Sequence, residues 1–156
     1  MKTSDQILLD NLRTKYLKKT IIRLKDKPAV FIEADIVSRK YTYLRRNRSI
    51  VLIPESSGVY VFYSQRTHTP VYVGESNNLK KRLSKHCRIS GKSVFKSRWV
   101  TTWLGVPSST KDVVSFIHSR MYFKFITMPF GRKEIETDLQ SLWKLSNPKF
   151  VDKDIF

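Results

Sequence analysis

The sequence predicts an α/β fold of the α+β kind, in which helices flank a small antiparallel sheet, and three observations carry that prediction. Two tyrosine- and valine-rich runs, residues 58–63 and 70–74, stand on either side of the polar loop Ser64 to Thr69 and read as a hairpin. A third such run, Met121 to Thr127, comes later, and stretches of helical apolar spacing separate and follow the strands. At 156 residues and 40% apolar composition, the chain can bury a core without disulfides, as one domain with an N-terminal elaboration.

From Ser4 to about Lys25, Ile7, Leu8, Leu12, Tyr16, Ile21 and Leu24 recur at roughly helical spacing, so a long basic helix is expected, with Ser4 or Asp5 as N-cap. Pro28 closes it. Residues 29–33, 41–44 and 49–53 are rich in β-formers, and Arg45, Arg46 and Arg48 lie among them. That basic run is either a solvated loop or a phosphate contact. With no Gly/Ser/Pro-rich linker, Pro54 to Ser57 reads as a junction within one unit, between residues 1–56 and 57–156.

After the hairpin, Ser76 and Asn77 can cap a lysine-rich helix from about Asn78 to Cys87, which places Leu79, Arg82, Leu83 and His86 along one face. Val94, Phe95, Trp99, Trp103 and Leu104 form an irregular, helix-compatible core cluster, and Ser109-Thr110 caps a short helix through Ile117. Beyond Pro129-Phe130-Gly131 the pattern is helical from about Arg132 to Leu145, with Ile135, Leu139 and Leu142 facing the core.

The balance of 30 Lys+Arg against 13 Asp+Glu gives a net charge of +17, a field that attracts polyanions, and nucleic acid is the expected partner. A membrane surface is disfavoured, because the chain has no apolar run of about 18 residues and no signal-peptide pattern. The lone Cys87 and three scattered histidines offer no zinc-ligand spacing and fit an intracellular setting.

Strand alternation lets Tyr60 and Tyr72 share the face opposite Val59, Val61, Val71 and Val73. Such a pair is ordinary cross-strand packing unless other groups join it. Arg82 and His86, four residues apart on a helix that must dock on the sheet, are candidates to do so; the alternative is an arginine reaching outward and a satisfied surface histidine. Glu136 borders the buried stripe of the last helix and can hold one hard divalent cation against a phosphate. Glu134, on a face with Asp138 and Ser141, is the fallback.

Gly58-Val59-Tyr60 and Tyr72-Val73-Gly74 resemble the paired signature of the GIY-YIG nuclease superfamily. Arg82, His86 and Glu136 fall where that family has its arginine, histidine and metal-binding glutamate, and the resemblance covers about residues 57–150. It departs at one point: the family often carries an asparagine shortly after a late proline, whereas Val151 stands three positions beyond Pro148, and Asn147 precedes that proline.

The resemblance implies a central three-stranded antiparallel sheet and one active site that hydrolyses phosphodiesters. Tyr60, Tyr72, Arg82, His86 and Glu136 would be catalytic, and Glu136 would hold Mg2+, with Mn2+ able to substitute. Tyr60 would take the proton of the attacking water, with His86 or a lysine as relay. Tyr72 would position water or phosphate, and the two tyrosine roles are exchangeable. The expected partner is double-stranded DNA, gripped by Lys80, Lys81, Lys85, Arg45, Arg46 and Arg48, with the chain acting as a monomer or a transient homodimer. The alternative is a non-catalytic DNA- or RNA-binding protein on the same scaffold.

Overall fold

The computed structural model describes residues 1–34, 41–44 and 52–156. Its first element, α1 (Ser4–Asp26), is capped by Thr3 rather than Ser4 or Asp5. Thr3 and Gln6 form a capping box in which each side chain meets the other's backbone N–H (3.3 and 3.1 Å). Helical φ/ψ end at Lys27 because the following Pro28 drives its predecessor to extended backbone. Only the C-terminal half of α1 packs: Thr20 and Leu24 are buried, Leu17 and Ile21 touch the core, and Ile7, Leu8 and Leu12 face solvent. An exposed fork from Arg13 to Asp138 (2.7 and 2.5 Å) also ties the helix to the C-terminal part of the chain.

Among the described residues five strands form one antiparallel sheet in the order β2-β1-β5-β3-β4: β1 Val30–Ala34, β2 Tyr41–Leu44, β3 Gly58–Ser64, β4 Pro70–Ser76 and β5 Met121–Thr127. The expected three-stranded centre is β5-β3-β4. The first β-rich segment extends it through antiparallel pairing of β1 with β5. The β-rich run at 49–53 falls largely outside the described residues, as do Arg45, Arg46 and Arg48. Val59, Val61, Phe62 and Phe123 on the two central strands are fully buried, each such side chain contributing about 1.5–3 kcal/mol.

Helix α2 (Leu79–Cys87) begins one residue later than expected, because Asn78 accepts the Lys81 N–H (2.9 Å) while Ser76 bonds Asn78's backbone. It docks through Leu79, Leu83, His86 and Cys87, all buried; burial also pushes the Cys87 thiol up, so it is an inert packing group. The irregular aromatic stretch is a π-helical turn, Phe95–Val100, continuing into α3 (Thr101–Leu104). Phe95, Trp99 and Trp103 are core, whereas Val94 is exposed and Leu104 only partly buried, because the wider turn aims one apolar stripe at the sheet.

Helix α4 (Thr110–Arg120), capped by Ser109 and Asp112, runs past Ile117 straight into β5. Helix α5 (Arg132–Leu142) buries Ile135 and Leu139. Leu142, expected to face the core, is exposed, because the helix ends there and the chain turns back at Trp143, with Lys144 at φ 55°. The tail then closes over Trp103, whose indole N–H donates to Pro148 O (3.1 Å) and whose ring meets Phe156.

Candidate active site

The site is built where β3 and β4 face α2. Tyr60 pairs directly with Gly74 across the hairpin, and its ring lies over that glycine: an added Cβ would sit 2.3 Å from both Cζ and Oη of Tyr60. Among the described glycines only Gly105 and Gly131 have positive φ, so Gly74 is required by space rather than by backbone conformation. Gly58 is tight for the same kind of reason, with Ile126 O 2.1 Å and a Leu79 methyl 2.8 Å from its would-be Cβ.

Tyr60 and Tyr72 share one face, their ring centroids 6.3 Å apart. His86 closes the triangle, 5.4 Å from the Tyr60 ring and 6.0 Å from that of Tyr72. It is 1% exposed, not a surface residue, because Leu79, Leu83 and Cys87 dock its helix against the sheet. Its Nε2 lies 2.6 Å from Tyr60 Oη. Phe62 and Phe95 complete an apolar wall around the imidazole.

This enclosure sets the electrostatics. Burial, then the cations Arg82 and Lys96, push His86 down to about 3, so it is neutral at physiological pH. Its Nδ1 is the one buried side-chain polar atom without a hydrogen-bond partner among the described residues. Burial, with Tyr72 next in importance, raises the Tyr60 phenol well above its ordinary value, while Arg82 opposes this. Tyr72, half-buried against Phe95 and Trp99, is raised by burial and by Glu136. Arg82 is itself exposed, yet its charge acts on Tyr60, Tyr72, His86 and Glu136 alike.

Glu136 comes from α5, which packs along β4, an edge strand of the sheet among the described residues. Four residues on, Gln140 donates to Val73 O on that edge (3.4 Å). Glu136 is half-buried, and its carboxyl is raised by burial and then by the Glu75 carboxylate, while a hydrogen bond from the Glu75 backbone N–H opposes the rise. The Glu75 side chain is turned to Arg132, whose Nε donates to its Oε2 (2.6 Å). Sequence reasoning missed Glu75 and Arg132; the i, i+4 spacing of Arg132 and Glu136 was the available signal.

Glu134, the fallback carboxylate, is exposed, its helix neighbour Asp138 is engaged by Arg13, and it is Glu136 whose charge acts on Tyr60 and Tyr72. Asn147 accepts the Lys149 N–H (3.0 Å), capping the 3-10 turn Pro148–Phe150. Lys81 and Lys85 are exposed on α2, and Lys80 pairs with Glu55 at 3.2 Å. Among the described residues no three His, Cys, Asp or Glu side chains gather. The oxygen donor present, the half-buried Glu136 carboxylate, fits a hard cation that keeps most of its water and takes one protein carboxylate plus a substrate phosphate. No described helix is long and apolar enough to cross a membrane.

The family model of the GIY-YIG catalytic domain matches residues 56–145, a span that contains all five of these side chains. A 42-residue stretch is 40% identical to UvrABC system protein C of Deinococcus radiodurans; it covers 27% of this chain and 6% of that protein. No solved structure matches.

Proposed function

The chain belongs to the GIY-YIG family of nuclease catalytic domains, and from that premise we propose that it is a metal-dependent endonuclease that hydrolyses phosphodiester bonds of double-stranded DNA. One observation carries the reading: the phenol of Tyr60 is hydrogen-bonded to a buried, neutral imidazole, and Arg82 and Glu136 act on the same phenol. Hydrolysis needs a deprotonated water, positive charge for the phosphoryl oxygens and a stabilised leaving 3′ oxygen.

His86 supplies orientation and a hydrogen bond. With its Nε2–H donating to the phenolic oxygen, a Tyr60 phenolate favoured by the Arg82 charge takes the proton of the attacking water. That charge matters because burial disfavours a standing phenolate. The water oxygen forms its bond to phosphorus as the bond to the 3′ oxygen breaks, and that oxygen leaves with the electron pair. Arg82 neutralises the charge that accumulates on the phosphoryl oxygens, and Tyr72 orients the phosphate. Glu136 would hold a Mg2+, or Mn2+ in its place, and a bound metal supplies Lewis-acid stabilisation of the phosphate and leaving oxygen.

In this reading residues 57–156 form the catalytic domain and residues 1–56 its extension. Exposed Lys81 and Lys85, with Lys80, grip the backbone beside the cut. A single such site cuts one strand per event, so a double-strand break takes two chains or two successive nicks. Supercoiled plasmid should be cut with Mg2+ and protected by a chelator. Tyr60→Phe and Glu136→Gln should each lower cutting by at least about 10²-fold while DNA binding persists. Cutting retained in Glu136→Gln overturns the metal assignment; cutting retained in Tyr60→Phe overturns Tyr60 as the base.

A further inference from the structure

A cavity of about 680 Å³ opens between the loop after α2, the π-helical turn and the start of α4. Its chemistry is one-sided. Lys92 and Lys96 line it together with the hydroxyls of Ser93, Ser97, Thr101 and Thr110, and no aspartate or glutamate does. Lys96 is only 5% exposed, its ammonium donates to the Arg88 carbonyl, and among the described residues it takes part in no ion pair. A buried ammonium held by one neutral acceptor is costly and is stabilised by an anion that brings its own charge. No aromatic ring lines the space, so the cavity offers nothing on which a base would stack.

Its position connects it to the catalytic centre. The turn that presents Lys96 and Ser97 to the cavity packs Phe95 and Trp99 against Tyr72, with ring centroids 4.5 and 5.0 Å away. The cavity wall begins at Ile89, three residues beyond His86. The cavity and the tyrosine cluster therefore share the π-helical turn as a common wall.

We propose that the cavity is a phosphate subsite that seats one phosphodiester of the DNA flanking the cut, with Lys96 at its base, Lys92 at its mouth and the Ser93, Ser97 and Thr110 hydroxyls as donors. The subsite rests on the nuclease reading for the identity of its ligand, while its chemistry, a tetrahedral oxyanion, rests on the lining alone. Seating that phosphate fixes the register of the strand and bears on Tyr72 through Phe95 and Trp99.

The test is binding of a short DNA duplex in the presence of a chelator, as a function of salt, for the intact chain and two variants. Lys96→Met removes the charge, and Ser97→Trp, at an exposed lining position, obstructs the cavity without removing one. Each variant should bind about tenfold more weakly and flatten the log–log salt dependence by about one. Thermal melting confirms that each folds.

Unchanged affinity and salt slope in folded Ser97→Trp would overturn the proposal even if Lys96→Met did not fold. Inorganic phosphate raising the melting temperature of the intact chain but not of Lys96→Met, with DNA binding the same in both, would assign the cavity to free phosphate and overturn the DNA subsite. Because binding is read without metal, a chain that never cuts DNA would sink the nuclease reading and leave this result standing.

Discussion

Replacing Gly74 with alanine puts a methyl group 2.3 Å from Cζ and Oη of Tyr60, more than 1 Å short of the 3.4–4 Å of ordinary contact. The ring cannot simply retreat, because His86, Phe62 and Tyr72 pack around it at centroid distances of 5.4, 6.1 and 6.3 Å. Overpacking of this kind costs about 1–3 kcal/mol, and losing the Tyr60–His86 hydrogen bond about 1 kcal/mol more. The sum, about 2–4 kcal/mol, is a sizeable part of a typical stability of about 5–15 kcal/mol. Displacing the phenol by about 1 Å should also slow cutting about 10²-fold. Urea unfolding and plasmid nicking at saturating enzyme read the two effects separately. The same substitution made in a Tyr60→Leu background should cost less than about 1 kcal/mol, because the overlapping atoms are gone. The reasoning is refuted if Gly74→Ala unfolds within about 0.5 kcal/mol of the parent and cuts at the parent rate, or if the full penalty persists without the tyrosine.

Two further outcomes follow from the buried charges. His86, ordinarily near 6.5, is held at about 3 in the folded chain, so below pH 6.5 the unfolded chain takes up a proton that the folded chain refuses. This group's stabilising contribution is complete above 6.5 and declines as pH falls toward 3, by about 2 kcal/mol at pH 5. His86→Phe should remove that part of the slope of urea midpoint against pH; an unchanged slope would show that the imidazole is protonated in the fold. Arg132→Gln leaves the Glu75 carboxylate unneutralised beside Glu136 and should cost about 1 kcal/mol, most of it regained when Glu75→Gln is added. A double-mutant cycle with no coupling would mean that the pair does not hold that edge of the site.

Much of the site was legible because its signals are local. Tyr60 and Tyr72 sit at strand positions whose alternation fixes their face, and Arg82 and His86 keep an i, i+4 spacing whichever sheet the helix docks on. Glu136 could be placed at the rim of an apolar stripe from Ile135 and Leu139 alone. The hairpin, the later strand and every helix of the catalytic part were readable from the same periodicities, with errors of one to three residues at caps. At the N-termini those errors arose because several neighbouring side chains could each cap, and the local hydrogen bonds chose among them: Thr3 with Gln6 over Ser4, and Asn78 with the Lys81 N–H over Ser76 and Asn77.

What the sequence determined by itself is therefore the kind of fold, a set of five candidate side chains and the sign of the field around them, all of which depend on residue type and spacing along one element. Only the tertiary structure decided that His86 is buried against Tyr60 rather than lying on the surface, that Gly74 is the space the phenol occupies, and that Arg132 takes Glu75 while Glu136 stays beside the tyrosines. It also decided that Leu142 faces solvent and that the first β-rich segment joins the same sheet. These depend on contacts between elements far apart in the chain, whose distances set desolvation and Coulomb energies that no spacing along a single helix or strand encodes.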